Sequence, residues 1–424
     1  MKETVDKHLA EPLIFRRDTC RICGGKSLQL VLSLGSTPPA NAFLQAEQLS
    51  EPEPKFPLDV FFCKTCSHVQ LLDVVSPEIL FRNYFYVSST SPSFVEHFRR
   101  YAEDVAKQCS LEANSLVVEI GSNDGILLKH FKAMGQRVVG VDPAVDIASA
   151  ATAAGVPTLP DFFTAEVAQQ ILKEHGEASV VTANNVFAHA DDLHGILEAV
   201  KKVLAPGGVF VFEVSYLMDV YEKTLFDTIY HEHVSYHTVK PLKLLFEEHG
   251  MEFVDAIRVS THGGSLRGIV RRKGRPHTAD PSVEELTEQE KAMGLHKAET
   301  FVQFAKKVDT LKHEVRELLL ELKKQGKRIA GFGAPAKMTT LMHYFEINGD
   351  LIDFVVDDSP LKQGLYTPGY HIPVVPTSHL YECKPDYLVI FAWNFAEPIM
   401  KKNEKFRQEG GKFIIPVPSP TFVA

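Results

Sequence analysis

Residues 115–125 read SLVVEIGSNDG, and this stretch decides the fold. An apolar run ends in a glycine turn, as a buried strand does when it breaks into a loop at its carboxyl end. Similar runs follow at 137–142 (RVVGVD), 178–184 (ASVVTAN) and 208–214 (GVFVFEV), with helical stretches between them. Such alternation means a parallel sheet covered on both faces. After Gly250 comes MEFVDAIRV, and after Gly263-Gly264 comes SLRGIVRRK. Two strands with no helix between them should close the sheet as an antiparallel hairpin. This α/β unit is taken to span residues 81–272.

The carboxyl rim of that sheet carries the chemistry. Ligands of open α/β sheets bind outside the carboxyl ends of the strands. Glu119 ends the first strand, and Gly121, Ser122 and Asn123 form the turn after it. The turn lacks the full G-x-G-x-x-G spacing of a dinucleotide site. Asp142 ends the second strand, placed to accept hydrogen bonds from ribose hydroxyls. An acid on each of the first two strands is the pattern of S-adenosylmethionine enzymes. Glu119 would face the methionine end and Asp142 the ribose. Asp161 and Phe162, after the third strand, would offer a polar group and a ring to adenine. Asn184 and Asn185 end the fourth strand on the same rim.

Tyr230-His231-Glu232-His233-Val-Ser-Tyr236-His237 follows the fifth strand and is the densest run of ionisable groups. Histidine suits general-base work near neutral pH, and an adjacent carboxylate can hold its tautomer. Metal binding by H-E-H is the competing reading. A helix would send its alternate residues apart; only a loop could chelate. A surface run of polar residues also fits the spacing. His189, just past Asn185, can reach the same space.

Residues 1–80 are rich in proline and hold two cysteine pairs, Cys20 with Cys23 and Cys63 with Cys66. So small and irregular a block needs a staple. In a reducing compartment C-x-x-C pairs read as metal, and two of them close a tetrahedral zinc site. Four sulfurs leave no position for water, so the zinc is expected to be structural and away from the chemistry. His68 could be a ligand; a solvent-facing histidine is the expected reading.

Residues 273–424 begin with a long helix whose apolar face is Phe301, Phe304, Val308, Leu311, Val315, Leu318 and Leu322. KRIAGFGAPAK (327–337) then reads as strand, glycine turn and helix start. It matches G-x-G-x-x-A, a weak dinucleotide signal. Lys337 beside a helix N-terminus would hold a pyrophosphate equally well. DFVVDD (353–358), DYLVIFAW (386–393) and KFIIPVP (412–418) read as further strands of a smaller α/β unit. Trp393 and Asn394 would wall its rim.

At 424 residues the chain has room for two or three domains. The net charge of -9 argues against a nucleic-acid scaffold or an anionic membrane surface as partner. No apolar run is long enough to span a bilayer, and the N-terminus does not read as a secretory signal, so a cytoplasmic location is expected.

Taken in order, these motifs resemble one family. Two C-x-x-C pairs, E-x-G-S-N-D-G, Y-H-E-H, His262-Gly-Gly-Ser-Leu-Arg267, G-F-G-A-P-A-K and A-W-N are similar to the three-domain sugar C-methyltransferases. The resemblance spans nearly the whole chain. It implies a zinc-binding domain, a central class I methyltransferase domain that binds S-adenosylmethionine, and a C-terminal Rossmann-like domain that holds a nucleotide sugar. It implies His233 as base, with Tyr230 and Glu232 beside it. It also carries over His189, and Tyr84 from a Y-x-Y-x-S segment. Arg267, Lys337, Trp393 and Asn394 are then expected to contact the substrate, a dTDP-linked 4-keto-deoxysugar. A monomer or weak homodimer is expected. An O- or N-methyltransferase acting on a small molecule would use the same cofactor site.

Overall fold

A computed structural model describes residues 13–82, 87–90, 92–274 and 280–423. The strand Leu116–Ile120 is buried at every position, because valine, leucine and isoleucine fill both faces of a sheet covered by helices. It is the first of seven strands. The others are Arg137–Val141, Thr158–Leu159, Ala178–Asn184, Leu204–Ser215, Met251–Val259 and Ser265–Arg272. They lie in the order sixth, seventh, fifth, fourth, first, second, third. The first five are parallel, and the seventh runs antiparallel between the fifth and the sixth. The expected hairpin is therefore present, with its second strand on the inside. The strand order reverses between the first and fourth strands, which places a ligand crevice above them.

The first block is more regular than its prolines suggest. Leu28–Thr37, Phe56–Cys63 and Val69–Leu71 form an antiparallel meander. Its fourth strand, Ser235–Tyr236, comes from far along the chain and pairs with Val69 and Gln70. The Y-H-E-H segment thus feeds directly into the sheet beside the cysteines. Among the described residues this block shares its core with the rest: Val31, Leu58 and Phe62 belong to the same apolar cluster as Leu116, Phe212 and Phe304.

The helix Ala298–Lys324 packs against the strand Leu28–Thr37, with the Phe62 and Phe301 rings 5.8 Å apart. Its buried stripe runs as expected except near the end. There Leu319, and not Leu318, completes the face, since 3.6 residues per turn carry the seam one position onward.

The C-terminal sheet has six strands, Ile329–Phe332, Val355–Val356, Val374–Val375, Tyr387–Ile390, Lys412–Ile415 and Thr421–Val423. Their order is third, second, first, fourth, fifth, sixth, all parallel but the last. The third and sixth are edge strands of two and three residues, too short to show a period in the sequence. Among the described residues no helix is long and apolar enough to cross a membrane.

Candidate active site

A cleft of about 1060 Å³ opens over the strand reversal and draws its walls from the central sheet's rim, the C-terminal unit and the first block. Ordinary small-molecule pockets span roughly 300–1,000 Å³, so this one stands at the upper end of that range.

All nine rim residues expected to hold the cofactor line this cleft, from Glu119 and Gly121 to Asn184 and Asn185. Gly121 has φ +66°, and a Cβ there would stand 2.4 Å from Val186 Cγ2. Only glycine satisfies both demands. The Asp142 carboxylate accepts from the backbone N–H of Asn123 at 2.8 Å and of Ala144 at 2.9 Å. Each oxygen keeps a lone pair for a ribose hydroxyl. Glu119 is buried, and burial pushes its pKa well up. It accepts one hydrogen bond, from Asn184 Nδ2 at 3.1 Å. Glu119 Oε2, Ser122 Oγ and Asn184 Oδ1 are buried without a partner. Orphaned polar atoms are costly unless a ligand completes them. A polar ligand such as S-adenosylmethionine, with ribose and amino-acid ends, fits this set.

The opposite wall holds the histidines. His233 donates from Nδ1 to the carbonyl of Thr228 at 2.8 Å. A carbonyl can only accept, so Nε2 carries the lone pair and accepts from the Tyr230 hydroxyl at 2.9 Å. Burial lowers the His233 pKa to about 4, which keeps the imidazole neutral. The His189 ring lies 4.9 Å from that of His233 and stacks on Phe81. Its Nε2 is buried without a partner. The neighbouring histidines play other parts. His231 donates to the Phe56 carbonyl while His233 lines the cleft, so H-E-H is split and does not chelate; His237 donates to the Phe187 carbonyl.

A third wall comes from the C-terminal sheet. Lys337 Nζ lies 3.6 Å above the Trp393 ring and donates to Asn394 Oδ1. Trp393 Nε1 in turn donates to Asp227, a buried carboxyl raised to about 6 by burial. Burial lowers the Lys337 pKa to about 8, against the opposing pull of Asp227. Lys337 and Asn394 line the cleft; Trp393 stands behind Lys337 as its platform.

Besides Trp393, two expected site residues lie outside the cleft lining. Arg267 sits in the sheet opposite Glu213, donates to it at 3.1 Å and covers the Tyr101 ring at 4.2 Å. It neutralises a buried carboxylate and does not reach substrate space. Glu232 is buried and accepts from Asn41 Nδ2 at 2.7 Å, bracing the Y-H-E-H loop against the first block. Tyr84 lies outside the described residues. Asn41, Lys362 and His262 are among the lining residues that the sequence reading did not assign. The glycine pair after His262 was the one local signal for the last. Asn41 and Lys362 carried none.

The four cysteine sulfurs all lie within 4.8 Å of one another. Cys20 and Cys66, and Cys23 and Cys63, are each 3.6 Å apart at sulfur. A tetrahedral zinc with Zn–S bonds of about 2.3 Å needs sulfurs about 3.8 Å apart, so the set fits the ion. His68 is not among these groups and does not face solvent. It is fully buried, with Nε2 3.3 Å from Ser235 Oγ, because the added strand Ser235–Tyr236 covers it.

Comparisons with known proteins agree with this layout. Residues 20–81 match a family described as "Putative zinc binding domain". Residues 94–256 match a methyltransferase domain, and residues 260–418 a C-methyltransferase C-terminal domain. The chain is 38% identical to the C-methyltransferase NovU of Streptomyces niveus over 407 residues, which is 96% of this chain and 97% of that protein. It is 26% identical to a ubiquinone biosynthesis O-methyltransferase of Colwellia psychrerythraea, over 33% of this chain and 62% of that one. A solved S-adenosylmethionine-dependent methyltransferase of Clostridium acetobutylicum aligns with 42% of this chain and 92% of its own at 13% identity, with a TM-score of 0.35.

Proposed function

The chain belongs to the S-adenosylmethionine-dependent C-methyltransferases with a zinc-binding N-terminal domain, and from that premise we propose that it methylates carbon next to the ketone of a nucleotide-linked 4-keto-deoxysugar. The observation that carries this reading is the Tyr230–His233 pair, facing the Asp142 rim and Lys337 across one cleft. S-adenosylmethionine, when bound, supplies an electrophilic methyl group.

His233 is the base. Its Nδ1–H is pinned to Thr228, which fixes the tautomer and leaves Nε2 to take a proton. The Tyr230 hydroxyl occupies that lone pair until substrate enters. Turning to the ketone oxygen, it frees Nε2 for the acidic carbon–hydrogen bond. The His189 ring lies beside that of His233 and keeps the pocket polar at this point. Lys337 takes the diphosphate, with Asn394 and Trp393 holding its ammonium in place. The nucleotide is read as dTDP.

The test is incubation with methyl-labelled S-adenosylmethionine and a panel of nucleotide-linked 4-keto-deoxysugars. Label on a ring carbon beside the ketone is the expected result. Label on oxygen or nitrogen, or on none of the sugars, overturns the reading.

A further inference from the structure

The turn Thr261–Gly263 joins the last two strands of the central sheet and reaches the cleft through His262. His262 has φ +54°, a left-handed conformation uncommon for residues other than glycine, though histidine adopts it more readily than most. Strain of this kind persists where the surroundings over-determine it, and it collects at functional sites. The surroundings here are extensive. Thr261 Oγ1 donates to Glu213 at 2.8 Å. Lys223 Nζ donates to the Gly263 carbonyl at 2.6 Å. Gly263 has φ +96° and packs so closely under Trp393 that a Cβ would stand 2.9 Å from the indole ring. The turn is clamped by both the central and the C-terminal units.

Its product is one oriented imidazole. Asn185 Nδ2 donates to His262 Nε2 at 3.3 Å. That nitrogen is therefore the acceptor, and the ring hydrogen sits on Nδ1. Nδ1 has no hydrogen-bond partner among the described residues. The Phe94 ring, 4.6 Å away, covers the imidazole with an apolar wall. Burial, with the positive field of Lys337, lowers the His262 pKa to about 4, so the ring stays neutral. A neutral histidine with one free N–H is a donor, not a base. The assigned base, His233, already has Nδ1 committed and Nε2 for the proton.

We propose that the Nδ1–H of His262 donates to the ketone oxygen as the neighbouring carbon is deprotonated, which makes His262 an oxyanion donor in this cleft. The inference rests on the enolate reading given above. The carbon–hydrogen bond breaks and its proton passes to His233 Nε2. The electron pair moves through the forming carbon–carbon double bond to the oxygen, where the His262 N–H meets the growing charge. The pair then returns to form the new carbon–carbon bond to the methyl, and the carbon–sulfur bond breaks with its electrons left on sulfur.

The experiment separates this step from methyl transfer. Enzyme with bound S-adenosylhomocysteine and dTDP-4-keto-6-deoxyglucose is placed in deuterated buffer, and deuterium entering beside the ketone is followed. Two variants are compared with wild type. His262→Gly removes the imidazole and relaxes the left-handed turn. His262→Asn tolerates the turn and returns an N–H. Loss of one oxyanion donor is worth about 100- to 1,000-fold, so His262→Gly should exchange that much more slowly, with S-adenosylhomocysteine affinity held within about threefold. His262→Asn should recover part of the rate. If wild type exchanges and His262→Gly keeps pace within threefold, the donor role is wrong and the enolate reading stands. If both variants lose S-adenosylhomocysteine binding, His262 is structural and the proposal falls. If wild type exchanges no deuterium, the enolate reading fails and takes this inference with it.

Discussion

Arg21 donates from Nη1 to the carbonyl oxygen of Val234 at 3.1 Å, and Val234 is the residue that follows His233. Arg21 lies between Cys20 and Cys23 in the first knuckle. Its Nε also donates to Asp191 at 2.9 Å, two residues past His189. One fully buried guanidinium therefore ties the zinc knuckle to both histidine loops. Three of the four cysteines are buried and Cys23 is partly exposed, and the site is one side chain away from the histidine loops.

Zinc should then be present at one ion per chain, and its loss should be felt in the cleft. Metal analysis of protein purified without chelator should return that ratio. Cys20→Ser should lower thermal stability, and turnover should fall with the metal. A variant that loses the ion and keeps wild-type turnover would sink the link.

Arg21→Leu separates the knuckle from the loops while leaving the sulfurs alone. Breaking a buried, multiply bonded charge costs about 3–5 kcal/mol where it leaves a partner unpaired; Asp191 is partly exposed, so the lower end is expected. The expected variant retains zinc, melts earlier and turns over more slowly. Chemical denaturation and metal content measured on one sample decide it.

Asp142→Ala should weaken S-adenosylmethionine binding by about 1–3 kcal/mol, the worth of the lost ribose hydrogen bonds. Asp142 also accepts the backbone N–H of Asn123, in the Gly121 turn, and that of Ala144. Asp142→Asn should fall between the two. Calorimetry with the cofactor is the measurement, and unchanged affinity in the alanine variant would remove Asp142 from the site.

Turnover should be broad in pH. His233 accepts protons only near pH 4, so the neutral base survives well below the usual histidine range. Lys337, lowered to about 8, is charged below that pH and loses its charge above it. The KM for the nucleotide sugar should therefore rise above about pH 8 while S-adenosylmethionine binding holds. Lys337→Met should raise that KM and remove its alkaline limb.

His233→Ala should lose about 100- to 10,000-fold in turnover, the usual worth of a general base, with cofactor affinity preserved. Deuterium exchange beside the ketone should fall in parallel. Exchange at the wild-type rate in this variant would place the base elsewhere on the rim.

The sequence exposes the strands and rim of the central sheet well, because local patterns carry them. Glu119, Gly121, Asp142 and Asn184 sit at strand ends, and strand ends can be read from apolar runs that stop. Arg267 shows where this fails. It stands in a quoted motif, yet cross-strand register pairs it with Glu213, and no local pattern states which strand becomes its neighbour. Glu232 is similar: its partner Asn41 is 191 residues away. Trp393 was expected at the rim and lies one layer back, because a cation can be held over an indole only by placing the ring beneath it. The zinc ligands were fully legible, since thiolate pairs are short-range. The strand that joins their sheet was not, because a two-residue strand has no period.

That strand, Ser235–Tyr236, bears on how such enzymes can be recombined. Exchanging the first 81 residues between two relatives would transplant three strands of a four-stranded sheet and leave the fourth behind on the host. The seam would run through the ladder at Val69 and Gln70, and through Arg21, Asn41 and their partners. Sequence modules and spatial modules do not coincide here. A working chimera has to carry residues 230–237 together with the cysteine block, so in this fold the donor of the zinc unit also brings its own Y-H-E-H segment.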